Sequence, residues 1–487
     1  MVFLKDTILK KLQSNPVAQQ MLQFGNNIGN LFPNEEALCM ASAFMQDKQT
    51  RIVVKKNRYE AQQLYQRLKP LVEDTLLFVM EESLRVQAIA SSPEDKQEQL
   101  YVLTQLVKED KPRIIICNTA AFLRYLPDKE LFKSLCFKFE VDQEITMAEL
   151  KQKLNRAGYT KVNYVDRPCT YASRGGIVDV YCLEYEHPIR IEFFDTVIES
   201  IRLFHEETQR TIQTIDSVLI NPATDLLFTD DQIEYLQKEI DSELEKQQAK
   251  LIQDDYEFLL DYIEKDKISI ENYDIDPHLY IYFSYLNANK LTDYVNGHII
   301  FSSQEEVENG YKKLNEETIS FIQEMVESHQ YLPRYSMFHD LFTFEKGHTI
   351  QMFHDFLDFK QPIFSKIETL EKSDQPLIQI LENLKEDNIY ISLDEEHTKK
   401  VQEALKAYSI HRNITFIEDD LYEGFTYEDI SVYTQQELFH RPSQIKRYQK
   451  TFKQGQILQN ILELEPNDYV VHEQYGIGQY VGITTRK

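Results

Sequence analysis

The sequence is poor in glycine and contains no long apolar run. Only 13 of the 487 residues are glycine, which argues against long flexible linkers between domains. No segment approaches the roughly 18 uncharged apolar residues of a membrane-spanning helix. The N-terminal segment MVFLKDTILKKLQSNP lacks the unbroken apolar core of a signal peptide and has the pattern of an amphipathic helix. The sequence therefore predicts a protein with no membrane partner.

Basic residues are also scarce. The chain has 53 lysines and arginines against 80 aspartates and glutamates, which gives a formal net charge of −27. A nucleic-acid-binding protein neutralises phosphates with a basic surface, so this chain as a whole should be repelled by DNA, although a locally basic groove stays compatible with the composition. Part of the acidic excess follows a predicted amphipathic helix whose apolar face consists of Ile233, Leu236, Ile240 and Leu244.

Cysteine motifs are absent. The five cysteines are odd in number and form neither a C-x-x-C pair nor a Cys/His pair at zinc spacing. We interpret them as small buried residues of a cytoplasmic protein, and we predict no metal site and no cofactor. The cysteines are Cys39, Cys117, Cys136, Cys169 and Cys182.

The apolar pattern divides the chain into several α/β regions. Residues 1–136 alternate short apolar strands with amphipathic helices, which is typical of a parallel sheet. From 137 to 221 the apolar period changes to two, which predicts an antiparallel sheet packed on a helix over 146–159. That helix should begin at a capping box of Thr146 and Glu149. Residues 222–351 are mainly helical and acidic, with a strand that could complete the first sheet.

The C-terminal part is predicted in three pieces. Residues 352–442 alternate strand and helix without a glycine-rich phosphate loop and are interpreted as a structural spacer. Residues 443–464 predict a locally basic helical linker, and 465–487 predict a strand, a glycine turn and a strand. Because a hairpin alone is not stable in water, we expect the sequence to end inside a further domain and thus to be a fragment.

One acidic segment raises the question of ATP hydrolysis. The residues DEEH at Asp394 to His397 follow an apolar strand, like the Mg²⁺-binding box of a helicase. Such a box requires a phosphate-binding loop of the type G-x-x-x-x-G-K-[ST], and the sequence G-K-[ST] occurs nowhere in the chain. We therefore predict that these residues form the acidic first turn of a helix, with no nucleotide site and no catalytic residue. A divergent ATPase that uses the box is the alternative.

The antiparallel region offers a candidate binding surface. In PIRIEFFD, Ile189, Ile191 and Phe193 should point to the core, while Arg190 and Phe194 should point outward. Arg174 precedes two glycines on a neighbouring strand. Arginine and aromatic side chains dominate protein-binding hot spots, but a covered phenylalanine with arginines in surface ion pairs would also explain the pattern.

A long ordered pattern in this region resembles domain 2 of the nucleotide-excision repair protein UvrB and, more closely, its counterpart in the bacterial transcription-repair coupling factors. The pattern comprises GY, RGGIVDV, RIEFF, IESIR and ETQR between residues 158 and 210. The terminal segment DYVVHEQYGIGQYVGI is similar to the opening of the RNA polymerase-interacting, CarD-like domain of that family. The resemblance covers the whole chain in order.

The resemblance implies a multidomain α/β architecture with UvrB-like domains 1a (1–136) and 1b (222–351) around an inserted α+β domain 2 (137–221). A small α/β domain 3 (352–442), a linker (443–464) and the truncated start of the CarD-like domain (465–487) follow. In this family the UvrB-like module has lost its ATP motifs, and the DNA-translocating motor lies further downstream. The full-length family binds DNA through that motor and RNA polymerase through the CarD-like domain.

The family's UvrA-binding residues match Arg174, Arg190 and Phe194. The resemblance therefore implies a non-catalytic module that recruits UvrA to RNA polymerase stalled at DNA lesions. It also favours the hot-spot interpretation of the outward face.

Overall fold

The computed structural model describes the chain as two compact units, residues 1–447 and 448–487. The described residues are 4–24, 27–29, 31–82, 93–273, 276–344, 350–354, 367–369, 377–383, 388–409, 413–417, 421–439, 469–472 and 476–479. The predicted linker 443–464 lies outside them.

The strands of these residues are numbered in chain order. They are β1 (Asn27–Gly29), β2 (Arg51–Lys55), β3 (Thr75–Phe78), β4 (Ile114–Asn118), β5 (Phe137–Glu140), β6 (Thr160–Lys161), β7 (Thr170–Arg174), β8 (Ile177–Tyr181), β9 (Ile189–Phe194), β10 (Val197–Phe204), β11 (Thr211–Ile215), β12 (Ser217–Ile220), β13 (His298–Phe301), β14 (Ile350–His354), β15 (Ile367–Thr369), β16 (Asn388–Ser392), β17 (Ile414–Ile417), β18 (Phe425–Tyr427), β19 (Ile430–Tyr433), β20 (Tyr469–His472) and β21 (Gly476–Gln479).

The helices are numbered in the same way. They are α1 (Leu4–Leu12), α2 (Pro16–Gln20), α3 (Pro33–Asp47), α4 (Arg58–Leu68), α5 (Pro93–Lys108), α6 (Thr119–Leu123), α7 (Lys129–Ser134), α8 (Met147–Arg156), α9 (Asp230–Gln248), α10 (Gln253–Glu271), α11 (Leu291–Tyr294), α12 (Gln304–Glu327), α13 (Leu377–Asn383), α14 (Glu395–Ala407) and α15 (Gln435–Phe439), with 3₁₀ turns at Pro277–Tyr285 and Leu341–Thr343.

The first sheet is parallel throughout and has the order β1-β14-β13-β2-β4-β3. Its central strands β2 and β4 are buried along their whole length, because helices cover both faces. Ile52 and Val54 face one core with α5 and α6, whereas Val53 faces a second core with α3 and α4. The predicted parallel α/β sheet is confirmed.

The two ends of helix α4 are determined by individual residues of the sequence. Asn57 caps α4 by accepting a hydrogen bond from the Glu60 backbone N–H at 2.9 Å. The sequence predicts that this helix continues to residue 72, but it ends at Leu68. The difference follows from Pro70, which has no N–H to donate and so cannot continue the helical hydrogen bonds, although the preceding Lys69 still has helical dihedral angles.

The inserted domain contains the sheet β11-β10-β9-β8-β7-β6, in which β6 and β7 are parallel and the other pairs antiparallel. Helix α8 begins at the predicted capping box: Thr146 Oγ1 accepts from the Glu149 N–H at 3.2 Å, and Glu149 Oε2 accepts from the Thr146 N–H at 2.9 Å. The helix ends at Arg156, before the predicted residue 159, because Gly158 adopts a left-handed φ of 81°. Strands β5 and β12 pair where the chain enters and leaves the domain.

After this domain the chain returns to the first sheet. Strand β13 pairs between β2 and β14, which confirms that the strand near 297–303 completes the sheet. Strand β14 (Ile350–His354) crosses the predicted boundary between 351 and 352. Residues 352–354 therefore belong to the first sheet rather than to the small α/β domain.

The small α/β domain has a five-stranded mixed sheet of order β15-β18-β19-β16-β17. Phe425, Ile430 and Val432 of this sheet share a buried core with the helices α1 to α4. The ion pair between Arg67 Nε and Glu423 Oε2, at 2.8 Å, lies at the same contact. This domain is therefore packed against the first sheet's helical layer.

In the second unit, β20 and β21 form an antiparallel hairpin, as predicted from the sequence. Among the described residues of both units, no helix combines the length and apolar character needed to span a membrane.

Candidate protein-binding surface

The antiparallel sheet has one buried face and one charged face. Along β9, Ile189 and Ile191 are completely buried, Arg190 and Glu192 are half-buried, and Phe194 is exposed. Successive side chains of a strand point to opposite faces. The outward orientation of Arg190 and Phe194 is confirmed.

Arg174 lies on the same outer face. It lies directly opposite Ile177 of β8, which in turn lies opposite Glu192 of β9, and directly opposite residues share a face. Arg174 is exposed, and no described residue forms a hydrogen bond or ion pair with its side chain. Its guanidinium is therefore available to a partner.

The turn between β7 and β8 fixes this end of the sheet. Gly175 has a φ of 57°, which favours glycine. The carbonyl oxygen of Gly176 accepts a hydrogen bond from the Phe193 N–H at 2.8 Å. A Cβ at position 176 would lie 3.1 Å from the Phe193 carbonyl oxygen. The two glycines thus let the turn lie against β9, beside the residue that precedes Phe194.

Phe194 is the most exposed large apolar side chain in the described part of the chain, with 74% of its surface accessible. It ends β9 before the turn of Asp195 and Thr196. The Thr196 carbonyl oxygen accepts a hydrogen bond from the Ile145 N–H at 2.8 Å. Because its backbone is held on both sides, this phenylalanine is presented to solvent with little backbone freedom.

Arg190 is held within the sheet. Its Nε and Nη2 atoms donate to the Asp179 carboxylate at 2.7 and 2.8 Å, and Nη2 also donates to Gln209 Oε1 at 2.8 Å. The guanidinium carbon lies 4.3 Å from the centre of the buried Phe204 ring. The hydrogen bonds to Asp179 raise the pKa of the Arg190 guanidinium, although partial burial acts in the opposite direction.

The three predicted residues therefore lie on the same face of the sheet, but they do not form a single cluster. Arg174 and Phe194 lie at the same end of the sheet, whereas Arg190 precedes Phe194 by four residues, about 13 Å along an extended strand. Sequence reasoning missed a further pair between them: Arg202 donates through Nη2 to Glu192 Oε1. The alternation of the buried Ile201 with Arg202 could have placed Arg202 on this face, although a bulge between Ile198 and Ser200 interrupts the period of two along β10.

The acidic box starts a helix, as predicted. Asp394 caps α14, and its Oδ1 accepts a hydrogen bond from the His397 N–H at 2.8 Å. The next two acidic residues form ion pairs one turn along the same helix, Glu395 with Lys399 and Glu396 with Lys400, each at 2.6 Å. Desolvation acts to raise the pKa of Asp394, but the hydrogen bonds from His397 and Gln435 together outweigh it, so the pKa is lowered. All four residues have structural roles here.

Replacing Asp394 by alanine should lower the stability of the small α/β domain by about 1 kcal/mol, because an N-cap hydrogen bond is lost. The variant's ATP turnover should match that of the unmodified chain. Urea unfolding and a phosphate-release assay measure the two quantities. ATP turnover that is stimulated by DNA and disappears in Asp394→Ala would instead support the ATPase alternative.

A buried glutamate side chain lies at the carboxyl ends of strands β2 and β13 of the first sheet. Glu36, in the first turn of α3, is buried and pairs with Lys55 Nζ at 2.5 Å, and it accepts a hydrogen bond from Ser302 Oγ at 3.1 Å. Helix N-termini of such sheets often bind phosphate. Here a carboxylate of the chain lies at that helix end.

A cavity of about 500 Å³ lies at the ends of β2 and β4. Lys56 at its wall is neutralised by Glu306 at 2.6 Å. The cavity therefore offers no concentrated positive charge to a nucleotide. Its other charged lining residues are Glu82, Lys313 and Glu317.

In the described residues, no group of three or more His, Cys, Asp or Glu side chains is arranged to hold a metal ion. All five cysteines are free thiols, of which Cys39, Cys117 and Cys182 are buried. Burial also raises the pKa of the half-buried Cys136 to about 12. Burial raises the pKa of the Cys39, Cys117 and Cys169 thiols as well, so these three and Cys136 are protonated at neutral pH and poorly nucleophilic.

Residues 137–226 match the family described as the UvrB interaction domain. The antiparallel domain is therefore similar to UvrB interaction domains. It comprises the antiparallel sheet with Arg174, Arg190 and Phe194. Residues 464–487 match a second family, the CarD-like/TRCF RID domain.

The chain is also similar to part of the transcription-repair-coupling factors of other bacteria. It is 28% identical to that of Bacillus subtilis (strain 168) over 470 residues, which cover 88% of this chain and 39% of the relative. It is 27% identical to that of Staphylococcus haemolyticus, over 94% of this chain and 42% of the relative. The chain thus spans about two fifths of the length of these curated relatives and is similar to their N-terminal part.

Proposed function

We propose that this chain is a non-catalytic module of transcription-coupled nucleotide-excision repair in the cytoplasm, and that it recruits UvrA to RNA polymerase stalled at DNA lesions. The observation that carries the proposal is the exposure of Phe194, 74% accessible beside Arg174 on the outer face of the UvrB interaction domain.

Such a face has the properties of a binding site. Phe194 is 74% exposed in the free protein, so covering it on binding removes apolar surface from water, which is favourable. Aromatic and arginine side chains also dominate the energetic centres of interfaces. Hydrogen bonds to the Gly176 and Thr196 carbonyl groups hold the backbone around Phe194. Binding therefore costs little conformational entropy at this site. The arginines favour a partner surface that is partly acidic.

The remaining partners are assigned to other regions. The CarD-like/TRCF RID residues 464–487 support contact with RNA polymerase. DNA binding and ATP hydrolysis belong, in this proposal, to parts of the full-length factor outside this chain. The net charge of −27 supports that division.

A binding experiment tests the proposal. Immobilised UvrA should retain the chain, and the triple variant Arg174→Ala, Arg190→Ala, Phe194→Ala should pass through unbound. A triple variant with unchanged retention would show that the surface is wrongly assigned. Absence of binding by the unmodified chain would reject UvrA recruitment itself. Tight, salt-sensitive binding to lesion-bearing duplex DNA would instead favour direct damage recognition.

A further inference from the structure

Arg202 lies beside Arg190 on the outer face. The two residues are directly opposite each other on β10 and β9. Like charges in such positions repel each other, and each is paired with its own carboxylate: Arg190 with Asp179, and Arg202 with Glu192. Glu192 is also bound by Ser200, whose Oγ donates to Oε2 at 2.8 Å.

The two arginines differ in how many of their guanidinium donors have hydrogen-bond partners. Arg190 makes three hydrogen bonds and stacks on Phe204, and 19% of its side chain is accessible. Within the described part of the chain, Arg202 makes one hydrogen bond, to Glu192, and 30% of its side chain is accessible. Its Nε–H is buried and has no hydrogen-bond partner among the described residues. A buried donor without a partner is unfavourable, so Arg202 gains more than Arg190 from an added acceptor.

Glu192 occupies the centre of the surface. On β9 it lies between Arg190 and Phe194, and across the sheet it shares a row with Arg174 and Ser200. A partner that covers Arg174 and Phe194 must therefore approach the Glu192 and Arg202 pair. An acidic side chain of that partner would compete with Glu192 for the Arg202 guanidinium.

We infer that Arg202, together with Arg174, binds carboxylates of the partner, and that Glu192 is an internal competitor that weakens this contact. Arg190 is a positioning residue, because its guanidinium joins Asp179, Gln209 and Phe204 and so holds the segment between β10 and β11 against the sheet. This inference rests on the proposed recruitment of UvrA and assigns separate roles within the same surface.

The first test is the affinity of the full chain for UvrA, measured by titration calorimetry. Arg202→Ala should weaken binding about tenfold or more, as for a charged side chain in a desolvated contact. Glu192→Gln keeps the size and the Ser200 contact but removes the competing charge, so it should strengthen binding about three- to tenfold.

Matched controls separate this effect from net charge. Glu199→Gln removes one negative charge from an exposed position of the same strand β10, and it should change affinity less than about twofold. Lys138→Ala removes one exposed cation from the same domain and should also have little effect. If Glu199→Gln strengthens binding as much as Glu192→Gln, or if Arg202→Ala binds like the unmodified chain, the role of Arg202 is refuted.

The role of Arg190 is tested with its partner Asp179. If Arg190 positions the sheet, Asp179→Ala should weaken binding as much as Arg190→Ala, and the double variant should lose no more than either single variant. If Arg190 itself contacts the partner, Asp179→Ala frees the guanidinium and binding should be kept or strengthened, which would overturn the assignment. Absence of binding by the unmodified chain would reject the proposed function, whereas binding with unaffected variants rejects this inference alone.

Discussion

Replacing Phe194 by alanine should weaken binding to UvrA by about 30-fold or more, which corresponds to about 2 kcal/mol or more at a hot spot. The side chain is 74% accessible in the free chain, so its removal takes little from the folded core. The variant's thermal unfolding temperature should therefore equal that of the unmodified chain. Calorimetric titration and a thermal melt measure the two quantities on the same sample.

Phe258 provides a matched control. It is another exposed phenylalanine, 54% accessible, on helix α10 outside the antiparallel domain. Phe258→Ala removes the same atoms from the surface and should leave UvrA affinity unchanged. A loss of affinity in Phe258→Ala that equals the loss in Phe194→Ala would mean that general surface hydrophobicity, and not this site, determines binding.

The antiparallel domain was predictable because its pattern is local. The period of two along β9 assigns Ile191 to the core and Phe194 to solvent, and the capping-box spacing places the start of α8 at Thr146. The same holds for β2 (Arg51–Lys55), whose apolar segment RIVVK predicts a short strand with the bounds that the structure has. Each of these features is determined by residues a few positions apart.

Features that depend on distant residues were not predictable. No local period shows that Asp179 pairs with Arg190, or that Arg202 lies opposite Arg190, because strand register determines both. The contact of Phe425 with the core around α3 and α4 joins residues far apart in the chain. The sequence could therefore indicate which residues face outward on β9. It could not indicate which of the arginines already has hydrogen-bond partners within the chain.

Replacing Arg124 by alanine should lower the free energy of unfolding of the large unit by about 3–5 kcal/mol, because it leaves a buried carboxylate without its cation. Arg124 Nη2 lies 2.7 Å from Asp225 Oδ2, and both residues are buried. The guanidinium carbon also lies 4.6 Å from the ring centre of Tyr280. This contact joins the segments that precede and follow the inserted domain. Chemical unfolding followed by circular dichroism measures the loss.

An exposed ion pair serves as the control. Arg156 Nη2 pairs with Asp230 Oδ1 at the same 2.7 Å, but the side chains are 33% and 70% accessible. Arg156→Ala should therefore cost only about 0–1 kcal/mol. The double variant Arg124→Met, Asp225→Leu removes both buried charges and should be more stable than Arg124→Ala. Equal losses in Arg124→Ala and Arg156→Ala would show that burial of this pair does not strengthen it, and that the two segments are joined by their apolar contacts alone.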